Sequence, residues 1–246
     1  MSRIVDTLRR IIGRRPADDR SAGGRPVALV YRGPATTEGY PEAVAALLRG
    51  GPWELDVRYI GHRSAPLTAT ALAKAVLYAQ PGGGELEPAY RHLREHRRAI
   101  REFVAGGGGY LGFCLGGCMA GATPGFGLLP GDTDRYIASK RGAVTHDRGT
   151  LVDVRWRDRP RVLFFQNGPR FLLDEGMPAT VLARYPNEEI AAVVVPFGRG
   201  RVGVVGPHPE ATSDWFVDAG LPVRDNADLG RDLVDMVLGP DGAVRR

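Results

Sequence analysis

Gly108-Gly109-Tyr110-Leu111-Gly112-Phe113-Cys114-Leu115-Gly116 is the stretch that decides the fold. Tyr110 to Phe113 is a short apolar run of the kind that makes a buried strand, and it runs into a cysteine set in the pattern G-x-C-x-G. This is the form of a nucleophile elbow with Cys in place of Ser, a tight strand-to-helix turn that holds the reacting atom in a strained backbone conformation. Side chains two residues away on either side would collide, and Gly112 and Gly116 relieve that. The helix that follows points backbone N–H groups at the sulfur, which favours a thiolate and stabilises an oxyanion. A buried structural cysteine beside packing glycines is the plain alternative.

Upstream of the elbow, short apolar runs alternate with helical patterns. Val27 to Tyr31, Leu55 to Ile60 and Val76 to Ala79 read as strands. Pro41 to Leu48, Leu67 to Ala75 and the long charged stretch Glu87 to Val104 read as helices. Such β-α-β-α alternation predicts an α/β fold with a mostly parallel central sheet flanked by helices, flavodoxin-like in kind. Downstream of Gly121 the rhythm changes. Strands are expected at Thr150–Arg155, Val162–Phe165, Thr180–Tyr185, Ile190–Pro196 and Arg201–Val205, with a hairpin turn at Phe197-Gly198-Arg199-Gly200. An antiparallel portion is therefore added in the C-terminal half, and a helix from Ala227 to Val237 closes it.

The chain of 246 residues suits one such domain, assigned to 26–246. Residues 1–25 read as a basic amphipathic helix and linker: Ile4, Val5, Leu8, Ile11 and Ile12 form one stripe, and arginines take the other faces. That helix would dock on the domain or on a partner protein; peripheral contact with an anionic membrane is the weaker option. Most of the net charge of +5 sits in this segment, which holds seven arginines against three aspartates. The rest is close to neutral, so nucleic acid is not an expected partner. No apolar run approaches the ~20 residues of a membrane span, and no secretory leader is read at the start. Two cysteines four residues apart make no disulfide framework, which points to a reducing, cytoplasmic setting.

A thiol nucleophile needs a base, and the base needs an acceptor to orient it. Val202 to Gly206 reads as a strand leading into Pro207-His208-Pro209-Glu210, so His208 at a strand end and Glu210 two residues on supply both. Pro81-Gly82-Gly83-Gly84 follows a strand and precedes a helix; its backbone forms half of an oxyanion hole, with the Leu115 N–H as the other half. Cys118 reads as a small buried hydrophobe, or else as the resolving partner of an oxidised Cys114. His92 and His96 stand at i, i+4, but the arginines around them repel a metal, and a solvated face is expected. No metal or organic cofactor is called for.

In order, P-G-G-G, G-F-C-L-G and H-P-E resemble the class I glutamine amidotransferase superfamily. The closer resemblance is to the domain at the N-terminus of eukaryotic-type biotin-protein ligases, which also occurs as stand-alone bacterial proteins. It is carried by Val27 to Tyr31, Gly108 to Cys114, Leu129-Pro130-Gly131, Phe165-Gln166-Asn167-Gly168-Pro169 and Val181 to Tyr185. The resemblance implies Cys114 as nucleophile, His208 as general base, Glu210 as its orienter, and the Gly83 and Leu115 amides as the oxyanion hole. Asn167 would line the pocket or simply form a turn. Glutaminases of the superfamily commonly carry Gln where this chain has Cys118, a departure that bears on glutamine as substrate. The expected function is that of a cysteine-dependent amide hydrolase or amidotransferase-like protein acting on a small-molecule amide through a thioester. The alternative is a non-catalytic small-molecule-binding or regulatory module on the same fold.

Overall fold

The structure, a computed structural model, describes residues 24–239; the amphipathic helix expected at the N-terminus lies outside the described residues. Alternation along the strands sets the layers. In β1 (Val27–Tyr31), Ala28 and Val30 face one core, while Leu29 and Tyr31 face the other. In β3 (Leu77–Gln80), Leu77 and Ala79 go to the first face and Tyr78 to the second; in β4 (Gly109–Phe113), Leu111 and Phe113 oppose Tyr110 in the same way. A strand apolar on both faces must be covered on both, and helices do this.

The first face is covered by α1 (Tyr40–Arg49), through Val44, Leu47 and Leu48, and by α7 (Ala227–Leu238), through Leu233 and Val237. The second lies under four helices: α2 (Ala69–Ala73), α3 (Leu86–Leu93), α4 (Arg97–Ala105) and α5 (Leu115–Ala120), which bring in Leu72, Leu93, Ile100, Val104 and Met119. The single helix expected over 87–104 is thus two, with a 3-10 turn at Arg94–His96 between them. The break turns α4 so that Arg97 Nε donates to Gly125 O at 3.0 Å and Arg101 donates to Phe126 O at 2.9 Å. Two backbone carbonyls of the 125–127 loop thereby gain charged donors.

With β2 (Asp56–Ile60) at one edge, the strand order is β2-β1-β3-β4-β11-β10-β9-β6-β7. The second half supplies β6 (Thr150–Trp156), β7 (Arg159–Phe165), β9 (Thr180–Arg184), β10 (Ile190–Phe197) and β11 (Gly200–Val205). Pairing is parallel from β2 through to β4 and β11, and antiparallel from β11 outward. The sheet is mixed, with the parallel N-terminal part flanked by helices and the antiparallel C-terminal part that were expected. Three elements were not read from the sequence: β5 (Gly131–Arg135), β8 (Pro169–Leu173), and the short α6 (Ser213–Asp218). Strands β5 and β8 pair with each other beside the main path, and β5 gives Thr133, Asp134 and Arg135 to the lining of the site.

Candidate active site

Three parallel strands end side by side, and each delivers one part of the site. The Pro81–Gly84 loop leaves β3, Cys114 leaves β4, and the segment with His208 and Glu210 leaves β11. Loops at the carboxyl ends of parallel strands open onto a common crevice. Here that crevice is a cleft of about 530 Å³ with Cys114 and Leu115 in its lining.

The elbow has the strained geometry its glycines imply. Cys114 sits at φ 49 and ψ −105, in the left-handed half of backbone space, and opens α5. A Cβ on Gly112 would stand 2.4 Å from Gly116 O, and one on Gly116 would stand 1.9 Å from Gln80 O. The second glycine therefore serves the packing of α5 on β3, beyond relieving the turn itself. Gly83 has φ +85, and a Cβ there would meet Thr37 Cβ at 2.5 Å. Among the described residues, neither the Gly83 nor the Leu115 N–H has a hydrogen-bond partner, so both donors remain for an oxyanion.

His208 and Glu210 are both buried, and His208 Nδ1 stands 2.8 Å from Glu210 Oε1. The backbone holds them there: His208 N–H donates to Phe164 O at 2.8 Å, tying the segment to β7. The rings of Tyr40, Phe164 and Trp215 surround the imidazole with centroids at 5.5, 6.0 and 5.2 Å. The other ring nitrogen, Nε2, has no hydrogen-bond partner. Burial alone would lower the imidazole pKa, but the charges of Glu210 and Cys114 outweigh it and lift His208 to about 10. His208 and Cys114 close on one glycine: a Cβ on Gly82 would meet His208 Cε1 at 3.0 Å and Cys114 Cβ at 3.1 Å. The sulfur of Cys114 also reaches the backbone, with Sγ donating to Gln166 O at 3.5 Å.

Asn167 lines the cleft and also adopts φ 52, so the turn and the pocket readings hold together. Its Oδ1 accepts from Arg135 Nε at 3.0 Å. Cys118 lies one helical turn past Cys114 and lines the cleft as well; burial and the neighbouring Cys114 push its thiol pKa well up, leaving it a neutral wall. Reasoning on the sequence overlooked Tyr40, whose OH donates to Gln166 Oε1 at 3.0 Å and whose ring packs on the imidazole. It overlooked Arg135 and Trp215 too. Tyr40 begins a helix and Trp215 lies on the short α6, so nothing local marks either one as part of a site. The pair His92 and His96 straddles the break after α3, and His96 Nε2 stands 3.6 Å from Glu95. Among the described residues no group of three His, Cys, Asp or Glu side chains is placed to hold a metal ion.

Residues 27–142 match the family model described as biotin-protein ligase, N terminal. This stretch is similar to the biotin-protein ligase N-terminal family. The match takes in Gly83, Cys114 and Leu115 and stops before Asn167, His208 and Glu210. The chain is similar to a biotin-protein ligase of Schizosaccharomyces pombe, 28% identical over 183 residues, which cover 63% of this chain and 28% of the ligase. It is also similar to the imidazole glycerol phosphate synthase subunit HisH of Trichormus variabilis, 31% identical over 83 residues, covering 30% of this chain and 39% of the subunit. The chain thus spans well under half the length of these curated relatives. A glutamine amidotransferase of Thermotoga maritima shares the fold, with TM-score 0.54 and 18% identity over 79% of this chain and 80% of that one. The biotin-protein ligase N-terminal domain therefore has a class I glutamine amidotransferase-like fold. Among the described residues no helix is long and apolar enough to cross a membrane.

Proposed function

We propose that the protein is a cysteine-dependent amide hydrolase or amidotransferase acting on a small-molecule amide, with Cys114 as nucleophile, His208 as proton carrier and Glu210 as its orienter. The observation that carries this reading is the buried His208–Glu210 pair, 2.8 Å apart, with His208 closing on the same glycine as the strained Cys114, which lines the cleft. A lone buried imidazole–carboxylate pair costs desolvation free energy, and proximity to a thiol gives it a chemical use.

In this reading the Cys114 thiol passes its proton to His208, whose pKa is raised to about 10, and the imidazolium holds it. Sγ turns from Gln166 O and attacks the amide carbon. The carbonyl oxygen becomes an oxyanion, received by the Gly83 and Leu115 N–H groups. Collapse breaks the C–N bond as the His208 proton passes to the leaving nitrogen, and a thioester on Cys114 remains. Water or an acceptor amine then attacks the thioester, His208 takes the proton, and the acid or new amide departs. The ligand is small and the setting cytoplasmic and reducing, since the nucleophile must stay a free thiol.

A second reading, a non-catalytic binding module, draws on the Sγ bond to Gln166 O, which engages the thiol with the backbone. Thiol labelling with a neutral electrophile across pH 5–9 separates the two. Wild type, Cys114→Ser and His208→Ala are compared. Labelling that is confined to Cys114, persists below the ~8.5 pKa of a free thiol and weakens without His208 supports the enzyme. An ordinary thiol profile in wild type and His208→Ala alike makes it a binding module.

A further inference from the structure

One cation in the cleft is left unmatched by the protein. Arg135 ends β5 and lines the cleft beside Asp134 and Asn167. Its Nε is committed to Asn167 Oδ1 at 3.0 Å, but among the described residues its two terminal amino groups have no ion-pair or hydrogen-bond partner. The neighbouring Arg170 is bound on both sides, by Asp134 at 2.7 Å and Glu189 at 2.5 Å. Both oxygens of Asp134 are engaged as well, one by Arg170 at 2.7 Å and the other by the Arg135 backbone N–H at 2.8 Å. Among the described residues no carboxylate forms an ion pair with the Arg135 fork.

The guanidinium and Cys114 line the same cleft and are held by consecutive residues. Asn167, which fixes Arg135 Nε, follows Gln166, whose carbonyl accepts from Cys114 Sγ. One peptide thus links the residue that holds the arginine to the residue that holds the sulfur. Asn167 is locked at φ 52, so this link has a set shape. The free edge of a guanidinium presents two parallel N–H donors, the complement of the two oxygens of a carboxylate. Glu85 and Asp147 also line the cleft and disfavour a second negative charge on the same ligand.

We propose that Arg135 is a specificity-determining residue that receives the carboxylate of a mono-anionic amide substrate whose scissile carbonyl lies over Cys114. This rests on the reading of the cleft as an amide-cleaving site, so its test is built to fail separately. Binding of N-acetylglycine and of its neutral counterpart N-acetylglycinamide to the full chain is measured by calorimetry, in wild type, Arg135→Gln, Arg135→Lys and Cys114→Ser. Wild type and Cys114→Ser are expected to prefer the carboxylate. The preference drops about tenfold in Arg135→Gln, the size of one charge-assisted hydrogen bond, and returns in part in Arg135→Lys. No preference in wild type, or an equal one in Arg135→Gln, overturns the role of Arg135. In parallel, Cys114 is labelled with N-iodoacetylglycine and N-iodoacetylglycinamide. A carboxylate preference in binding with sluggish labelling by both reagents removes the catalytic reading and keeps the anion receptor. Fast labelling with no preference in either assay does the reverse.

Discussion

The most consequential atom in the site is His208 Nε2, buried and without a hydrogen-bond partner while Nδ1 is held by Glu210. Replacing His208 by Ala is expected to slow Cys114 labelling below pH 8 by about a hundredfold, the low end of what a positioned proton carrier contributes. It also leaves Glu210 buried and unpaired, so unfolding in urea should show a loss of roughly 3–5 kcal/mol. Glu210→Gln keeps an acceptor for Nδ1 and should be milder in stability than in labelling. The pH dependence has a definite sign. An imidazole raised from 6.5 to about 10 in the folded state stabilises the fold fully below pH 6.5 and loses that contribution as the pH climbs to about 10. The stability gap between wild type and His208→Gln should therefore be widest in mild acid and narrow steadily toward pH 10 in urea titrations. A gap that grows with pH would mean that His208 is neutral in the fold. The strained turn at Cys114 was legible in its flanking glycines, and the place of His208 in the apolar strand before it; their approach to Gly82 was not, because it joins three separate loops.

At the scale of the element, the turn from β4 into α5 is the least tolerant part of the fold. A Cβ on Gly116 meets the Gln80 carbonyl oxygen at 1.9 Å, a backbone atom that cannot rotate away. Gly116→Ala is expected to cost at least ~2 kcal/mol in chemical unfolding, toward the upper part of the range for overpacking. Cys114 reactivity should fall with it, since α5 must shift to admit the methyl. Elements with a clear period were read correctly: β1 has the bounds its apolar run predicts, and α7 ends one residue later than expected. Strand β5, Gly-Asp-Thr-Asp-Arg, has no apolar residue and was missed; only its antiparallel partner β8 makes it a strand. The break between α3 and α4 likewise has no Gly or Pro to mark it, and it follows from the contacts of Arg97 and Arg101 with a loop some 25 to 28 residues away.

Across the whole molecule, the parallel and antiparallel halves are joined through α7. Its Leu233 and Val237 pack on the face shared by β4 and β11, while Asp232 accepts from Trp156 Nε1 at 2.7 Å and from both ends of the Arg157 fork at 2.7 and 2.8 Å. Asp232→Ala should lower stability by about 1–3 kcal/mol in urea unfolding, because it leaves the buried Trp156 indole and a guanidinium without their acceptor. Labelling at Cys114 should be unchanged, since the site lies at the other end of the strands' loops and shares none of these groups. The sequence by itself determined the layering, because apolar runs of strand length and helical stripes are local patterns that demand cover on particular faces. It also determined the chemistry available at the three strand ends, because an elbow, a glycine loop and a His-Pro-Glu segment each carry their geometry in a few consecutive residues. Only the tertiary structure decided which polar groups face one another across the cleft. Tyr40 over the imidazole, Asn167 on Arg135 and Cys114 on Gln166 join residues between 32 and 168 positions apart. Such pairings come from the folding of loops onto a common sheet edge, where distance along the chain no longer limits contact.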